Sequence, residues 1–460
     1  MKELILLSGL GVLSLIAEIL NVRKLIYPLV IIGLLLNIGF CINDFGSNEN
    51  VYGMLILDRV PLVFTILLSF IAILWFTMAN HFFEDETNIS DHFSLVLFSM
   101  VGVFVLTSYT HLVMLFLGIE ILSIPVYVLA GSEKRNIYSN EAAFKYFLLG
   151  AFASGFLLLG ITFLYGALGS FNIIQIASTA MTQFGISAPL LVIGTLLILF
   201  ALAFKMSAAP FHFWAPDVYD GAPTVITAYM ATVVKIGAVA GFYRLFSIIL
   251  SFYPEYVTIL IIIALLTIII GNTLAATQSS IKRLLAYSSI GHAGFIILGI
   301  AALTPSTPYV TWFYLLAYTL ASIASFWVLM LVEKASNGKV DMVVFKGLIK
   351  RSPVLTGAMI LSLLSMAGIP PLAGFFAKYF ILVNVIDKGF ILIAVIAILA
   401  SLIGVYAYFR LIISMFSSPS EEHAITIEVS IWNKIALILI STILLIVGIL
   451  PDAAFNLLFR

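Results

Sequence analysis

Between Leu4 and Leu450 the chain is a succession of apolar runs, each of about 17 to 25 residues and so long enough to cross a bilayer as a helix. Few folds are open to such a chain. In lipid every backbone amide and carbonyl must be satisfied within the protein, and helices do this segment by segment. Counting the runs predicts fourteen spans, at roughly 4–20, 25–42, 58–79, 92–108, 111–130, 141–165, 188–208 with a broken continuation to 221, 224–246, 256–276, 284–303, 309–333, 354–385 interrupted at Pro370 and Pro371, 389–416 and 431–450. With 62% apolar and only 10% charged residues, the composition is not that of a soluble globule. The expected class is an all-α polytopic membrane protein.

No linker, low-complexity tract or long charge run divides the 460 residues, so residues 1–460 are read as a single membrane domain. Within it, spans 1–3 would occupy 1–90, a first repeat 92–246, a second repeat 256–416 and a C-terminal span 431–460. Zero formal net charge argues against a nucleic-acid partner. Cys41 is the only cysteine, which excludes an internal disulfide or a cysteine-based metal site. At the N-terminus Lys2 leads into a long apolar run without a small-residue cleavage pattern, as expected of a retained span.

Basic residues set the expected orientation. Arg23, Lys24, Lys134, Arg135, Lys282, Arg283, Lys334, Lys339, Lys346, Lys350 and Arg351 follow odd-numbered spans, whereas the other loops carry few, chiefly Arg59, Arg244 and Lys388. The positive-inside rule then puts the odd loops in the cytoplasm and both termini on the opposite side. These loop cations are assigned to orientation alone. The loop from His81 to Asp91 dissents, because it is acidic; it is a candidate contact for a partner protein.

The polar chemistry centres on Leu199–Lys235, LFALAFKMSAAPFHFWAPDVYDGAPTVITAYMATVVK. Lys205 lies deep in an apolar run, and a cation there demands a partner or water. Pro210 and Pro216 remove amide donors and break the helix. Broken backbone at membrane depth is tolerated only against protein or a water-filled cavity. Lys235 sits mid-span in the next run, out of reach of either end. The expectation is an ion path. Pro370 and Pro371, with Lys378 nearby, repeat the pattern five spans later. An odd offset reverses topology, so spans 4–8 and 9–13 are expected to be inverted five-helix repeats, each with a discontinuous helix. In this alignment Glu120 of span five pairs with His292 of span ten.

The intramembrane titratable residues are Glu120, Lys145, Lys205, Lys235, His292 and Lys378, with Glu18 and Arg410 as weaker members. They form no nucleophile triad, phosphate loop or metal cage, which leaves proton movement. A carboxylate in hydrocarbon is held neutral unless a cation stands beside it. A buried Lys–Glu pair whose separation changes would switch the lysine between holding and releasing a proton, and Glu120 with Lys205 is the expected pair. The alternative for any one pair is a static bridge between helices. His292 suits a relay by its titration range, but a histidine in a small-residue helix is as readily an interhelical hydrogen-bonding group. His212 and Trp214 are expected in an interfacial aromatic belt. Asp217 and Asp220 would lie in solvated backbone, capping a half-helix or gathering protons.

The runs LGIEILSIPVYVLAG, FKMSAAPFHFWAPDVYDGAPT, AYSSIGHAGF and AGIPPLAGFFAKY resemble the antiporter-like subunits of bacterial proton-pumping NADH:quinone oxidoreductase, respiratory complex I. A lysine at Lys378 is similar to the subunit N branch, where subunit M has a glutamate; subunit L would add C-terminal spans and a lateral helix beyond Arg460. The resemblance implies fourteen spans with inverted repeats and a proton path through Glu120, Lys205, Lys235 and Lys378, with His292 and Lys145 as further members. It also implies partners among neighbouring membrane subunits, and a bacterial inner-membrane location. NADH, FMN, iron–sulfur clusters and quinone would be handled in other subunits, in keeping with one cysteine and no dinucleotide fingerprint here. The alternatives are a subunit of a multi-subunit cation/proton antiporter or membrane-bound hydrogenase, a self-contained solute transporter, and a non-transporting assembly scaffold.

Overall fold

The computed structural model describes residues 1–20, 22–83, 89–176, 188–418 and 427–454. In chain order the principal helices are α1 (Lys2–Ile19), α2 (Ile26–Asn43), α3 (Arg59–Phe83), α4 (Ile89–Ser108), α5 (Leu112–Ala130), α6 (Ile137–Leu168), α7 (Ala188–Lys205), α8 (Trp214–Gly221) and α9 (Thr224–Tyr229). They continue as α10 (Lys235–Phe252), α11 (Tyr256–Ala275), α12 (Ile281–Ala301), α13 (Thr307–Ala335), α14 (Pro353–Ala367), α15 (Ala373–Asp387), α16 (Ile391–Phe416) and α17 (Ile431–Ile449). A hairpin of β1 (Glu49–Val51) and β2 (Leu55–Leu57) joins α2 to α3.

Among the described residues, eleven helices are long and apolar enough to cross a membrane. Three of the expected runs fall outside that set. The first, α1, carries Lys2, Glu3 and Glu18 within its 18 residues. The other two are interrupted: one becomes α7 and α8, the other α14 and α15. Pro210 lies in the first gap, and Pro370 and Pro371 in the second, as missing amide donors require. Pro216 differs from expectation. It sits in the first turn of α8, where an amide would have no intrahelical partner, and so does not break the helix.

The chain forms two compact units. The first comprises Met1–Met206 with Val233–Val257, the second Ser207–Thr232 with Thr258–Arg460. In the first unit α4 packs on α1, α5 and α10, and α6 packs on α7. Gly102 permits the close approach of α4 to α5, since a Cβ there would lie 2.4 Å from the Leu122 amide nitrogen and 2.7 Å from the Gly118 carbonyl oxygen. In the second unit α12 and α13 are enclosed almost completely, as apolar residues all round a helix require. Gly271 brings α11 against α12, where a Cβ would lie 2.4 Å from the Gly291 nitrogen and 2.9 Å from the Tyr287 oxygen. Phe144, Phe147, Phe152 and Phe156 are exposed on α6, an apolar face suited to lipid or to another membrane chain.

Candidate functional site

Lys205 is the last residue of α7, where a cation meets the negative end of the helix dipole. It is 5% exposed. Its ammonium donates to Ser123 Oγ at 2.6 Å and to the Tyr146 hydroxyl at 3.2 Å, and lies 5.7 Å from the Tyr127 ring centroid and 5.3 Å from that of Tyr146. Glu120, the expected direct partner, is half-buried and accepts a hydrogen bond from Ser154 Oγ. Among the described residues no salt bridge joins it to Lys205. Glu120 and Ser123 are one turn apart on one face of α5, and the serine takes the contact while the carboxylate acts on Lys205 through space. Ser123, Tyr127, Ser154 and Lys205 line a cavity of about 10 Å³, near the lower limit for one water molecule.

Lys235 is 3% exposed and donates to the Met206 carbonyl at 3.0 Å. That carbonyl is the first beyond α7. A π-helical turn, Met230–Val234, immediately precedes the lysine; such turns recur at functional sites. Lys145, unlike Lys205 and Lys235, is not buried. It lies 2.7 Å from Glu141 one turn back, with side chains 40% and 54% exposed, and it is the neighbouring Tyr146 that α6 turns towards Lys205.

The second unit repeats the arrangement. Lys378 donates to the Ala367 carbonyl at 2.9 Å, the last residue of α14, and its ammonium lies 5.3 Å from the Phe295 ring centroid. Gly368 ends α14 at φ +84°, and a Cβ there would be 3.0 Å from Lys378 Cδ. Glycine thus supplies the left-handed turn and room for the lysine stem. His292 Nδ1 shares a 2.7 Å hydrogen bond with the Tyr314 hydroxyl. His292, Tyr314, Tyr318, Ser365 and Gly374 line another cavity of about 10 Å³.

The two breaks share one plan. Ser207 (φ 59°) and Gly368 (φ 84°) are left-handed, a proline follows three residues later at 210 and 371, and the preceding carbonyl, at 206 or 367, accepts a hydrogen bond from lysine. The glycine contacts agree: positions 102 and 271, 118 and 287, 122 and 291 keep one constant offset along the chain, under which the counterpart of His292 is Ser123. The expected match of Glu120 to His292 is corrected accordingly.

Several residues do more than the sequence reading gives them. Lys282, assigned to orientation alone, is 5% exposed; it lies 3.2 Å from Glu333 and donates to the Ala222 carbonyl at 3.2 Å. Glu333 also accepts from Thr224 Oγ1. Arg283 lies 2.9 Å from Asp217 and 3.9 Å from Asp220, so these carboxylates tie α8 to α12. The sequence signals are a lysine two residues ahead of the apolar run 284–303 and two aspartates one turn apart. His212 and Trp214 are buried, 3% and 4% exposed, and therefore are not an interfacial belt. Glu18 and Arg410 act at helix ends, on Arg23 and Ser90 and on the Ala276 and Gln278 carbonyls respectively. Residues 84–88 of the acidic loop lie outside the described residues.

Residues 109–404 match the family described as NADH:quinone oxidoreductase/Mrp antiporter, transmembrane. The NADH-quinone oxidoreductase subunit N of Cytophaga hutchinsonii is 43% identical, over 98% of each chain. A chain of respiratory complex I from Thermus thermophilus with bound aureothin superposes with a TM-score of 0.84 at 32% identity, over 99% of this chain and 98% of that one. A chain of the Mrp complex from a Dietzia species superposes with a TM-score of 0.89, over 99% and 96% of the two chains, but at 20% identity it shows a shared fold alone. The chain belongs to the NADH:quinone oxidoreductase/Mrp antiporter membrane family, among the relatives named NADH-quinone oxidoreductase subunit N.

Proposed function

We propose that the chain is a proton-translocating, antiporter-like membrane subunit of NADH:quinone oxidoreductase. The observation that carries this reading is a lysine ammonium seated on the buried carbonyl end of each broken helix. A protonated lysine satisfies that carbonyl; a neutral one holds it less strongly, so proton gain and loss change what fastens the half-helix. Lys205, Lys235 and Glu120 serve one unit, Lys378 and His292 the other. Ser123, Tyr146, Ser154 and Tyr314 supply hydroxyls that pass or orient protons, and each water-sized cavity leaves room for one bridging water. Lys145 stands outside this relay.

The shared plan of the breaks and the constant offset of the glycine contacts support fourteen spans, with spans 4–8 and 9–13 as inverted repeats. The subunit lies in the bacterial inner membrane with both termini on the periplasmic side, as the basic loops indicate. Its partners are neighbouring antiporter-like and small membrane subunits, and NADH, FMN, iron–sulfur clusters and quinone are handled by other chains. Mild-detergent purification followed by mass spectrometry of the associated proteins tests the assignment. Recovery of an NADH-oxidising peripheral arm is expected; recovery with cation-antiporter subunits and no such arm would overturn it.

A further inference from the structure

Apart from the relay, the first unit holds a cavity of about 430 Å³ between α1, α4 and the end of α5, within the size range of small-molecule sites. Its lining changes character along the helices. On α4, Asp91, Ser94, Leu95 and Phe98 fall at i, i+3, i+4 and i+7, one face of one helix, and run from polar to apolar from the first turn inwards. The opposite wall, formed by antiparallel α5 and the loop after it, runs from apolar Val128 to cationic Lys134 in the reverse chain direction. Both walls therefore place charge at the same end and hydrocarbon beyond it. A soluble metabolite has no need of that gradient; a phospholipid has it built in.

Among the described lining residues the head end carries one carboxylate, Asp91, and one lysine, Lys134, with His92 beside the first. Asp91 and Lys134 are both exposed, and among the described residues neither side chain has an ion-pair or hydrogen-bond partner. An anionic headgroup would satisfy Lys134 and be repelled by Asp91. A zwitterionic head matches both, with phosphate at Lys134 and ammonium at Asp91. Between zwitterions, a quaternary choline has no N–H to donate, whereas a primary ammonium gives three donors to Asp91 and the Ser94 hydroxyl. Below it Leu95, Phe98 and the 58%-exposed Val128 offer apolar surface to the acyl chains. From this we infer that the cavity is a binding site for a phospholipid with an ethanolamine headgroup, seated against α4 with its chains along Leu95 and Phe98. The site is independent of the proton relay and stands or falls apart from it.

The test uses the purified complex in detergent with a phosphatidylethanolamine probe bearing a photoactivatable diazirine on one acyl chain. Crosslinks should map to the α4 peptide containing Leu95 and Phe98. Unlabelled phosphatidylethanolamine should compete at about tenfold lower concentration than phosphatidylcholine or phosphatidylglycerol, as expected for a hydrogen-bonded charge pair. Asp91→Asn should abolish that preference, Lys134→Gln should weaken competition by all three lipids, and Leu95→Trp should remove the crosslink by filling the chain slot. Equal competition by the three lipids would mean bulk lipid and overturn the proposal. Absence of any crosslink on this face would mean that a partner chain fills the cavity, with the same consequence. The wild-type competition decides the matter even if a variant fails to assemble.

Discussion

Lys205 is served by hydroxyls where a carboxylate was expected, and this changes what each substitution should do. Hydrogen bonds to a charged group are worth about 1.5 to 3 kcal/mol. Ser123→Ala and Tyr146→Phe remove one each from Lys205. Each variant should assemble and pump protons roughly tenfold or more slowly, by that same energy scale, when NADH-driven proton uptake is measured in inverted membrane vesicles. Wild-type uptake in both would show that the hydroxyls do not serve the lysine in turnover. Glu120 acts at longer range. An opposite charge within about 4–6 Å is worth roughly 1.4 to 4 kcal/mol, and a more distant one less. Glu120→Gln should therefore slow uptake more than Glu120→Asp, which keeps the charge, and a side-by-side vesicle assay reads the order directly. At this scale the sequence is legible where a mid-span cation stands out, as at Lys205, Lys235 and Lys378. It is silent about their partners. Met206 and Ala367 act through backbone carbonyls that no side-chain pattern marks, and Ser123 and Tyr146 are ordinary residues of a membrane helix.

At the scale of elements, glycine decides where helices can touch backbone to backbone. Gly102→Leu must push α4 off α5, because even its Cβ would meet Leu122 nitrogen at 2.4 Å. Overpacking of this kind costs about 1 to 3 kcal/mol or more, and the amount of assembled complex on blue-native gels should fall. Gly155→Ala is the control, since nothing lies within 4 Å of its added Cβ; equal assembly of the two variants would contradict the packing account. The helices themselves are the legible part of the fold, because membrane-length apolar runs and breaking prolines carry a strong local signal. The role of Pro216 was not legible. A proline in the first turn of a helix and one in a gap look alike until the start of the helix is known. Nor were the ion pairs of Lys282 with Glu333 and of Arg283 with Asp217, whose partners lie far apart in the chain; the two basic residues read as orientation signals alone.

For the whole molecule, the account makes this subunit a mover of protons whose driving event comes from other chains. Purified alone into liposomes, it should show no NADH oxidation above empty vesicles; measurable activity would refute that division of labour. The central claim is narrower: the lysine on the carbonyl end of each broken helix is the part that works. The direct measurement is NADH-driven proton uptake in inverted vesicles carrying Lys235→Ala or Lys378→Ala, normalised to the intact complex on blue-native gels. The account predicts that both variants assemble and that both lose most of their uptake relative to wild type. Wild-type uptake by either assembled variant would contradict it.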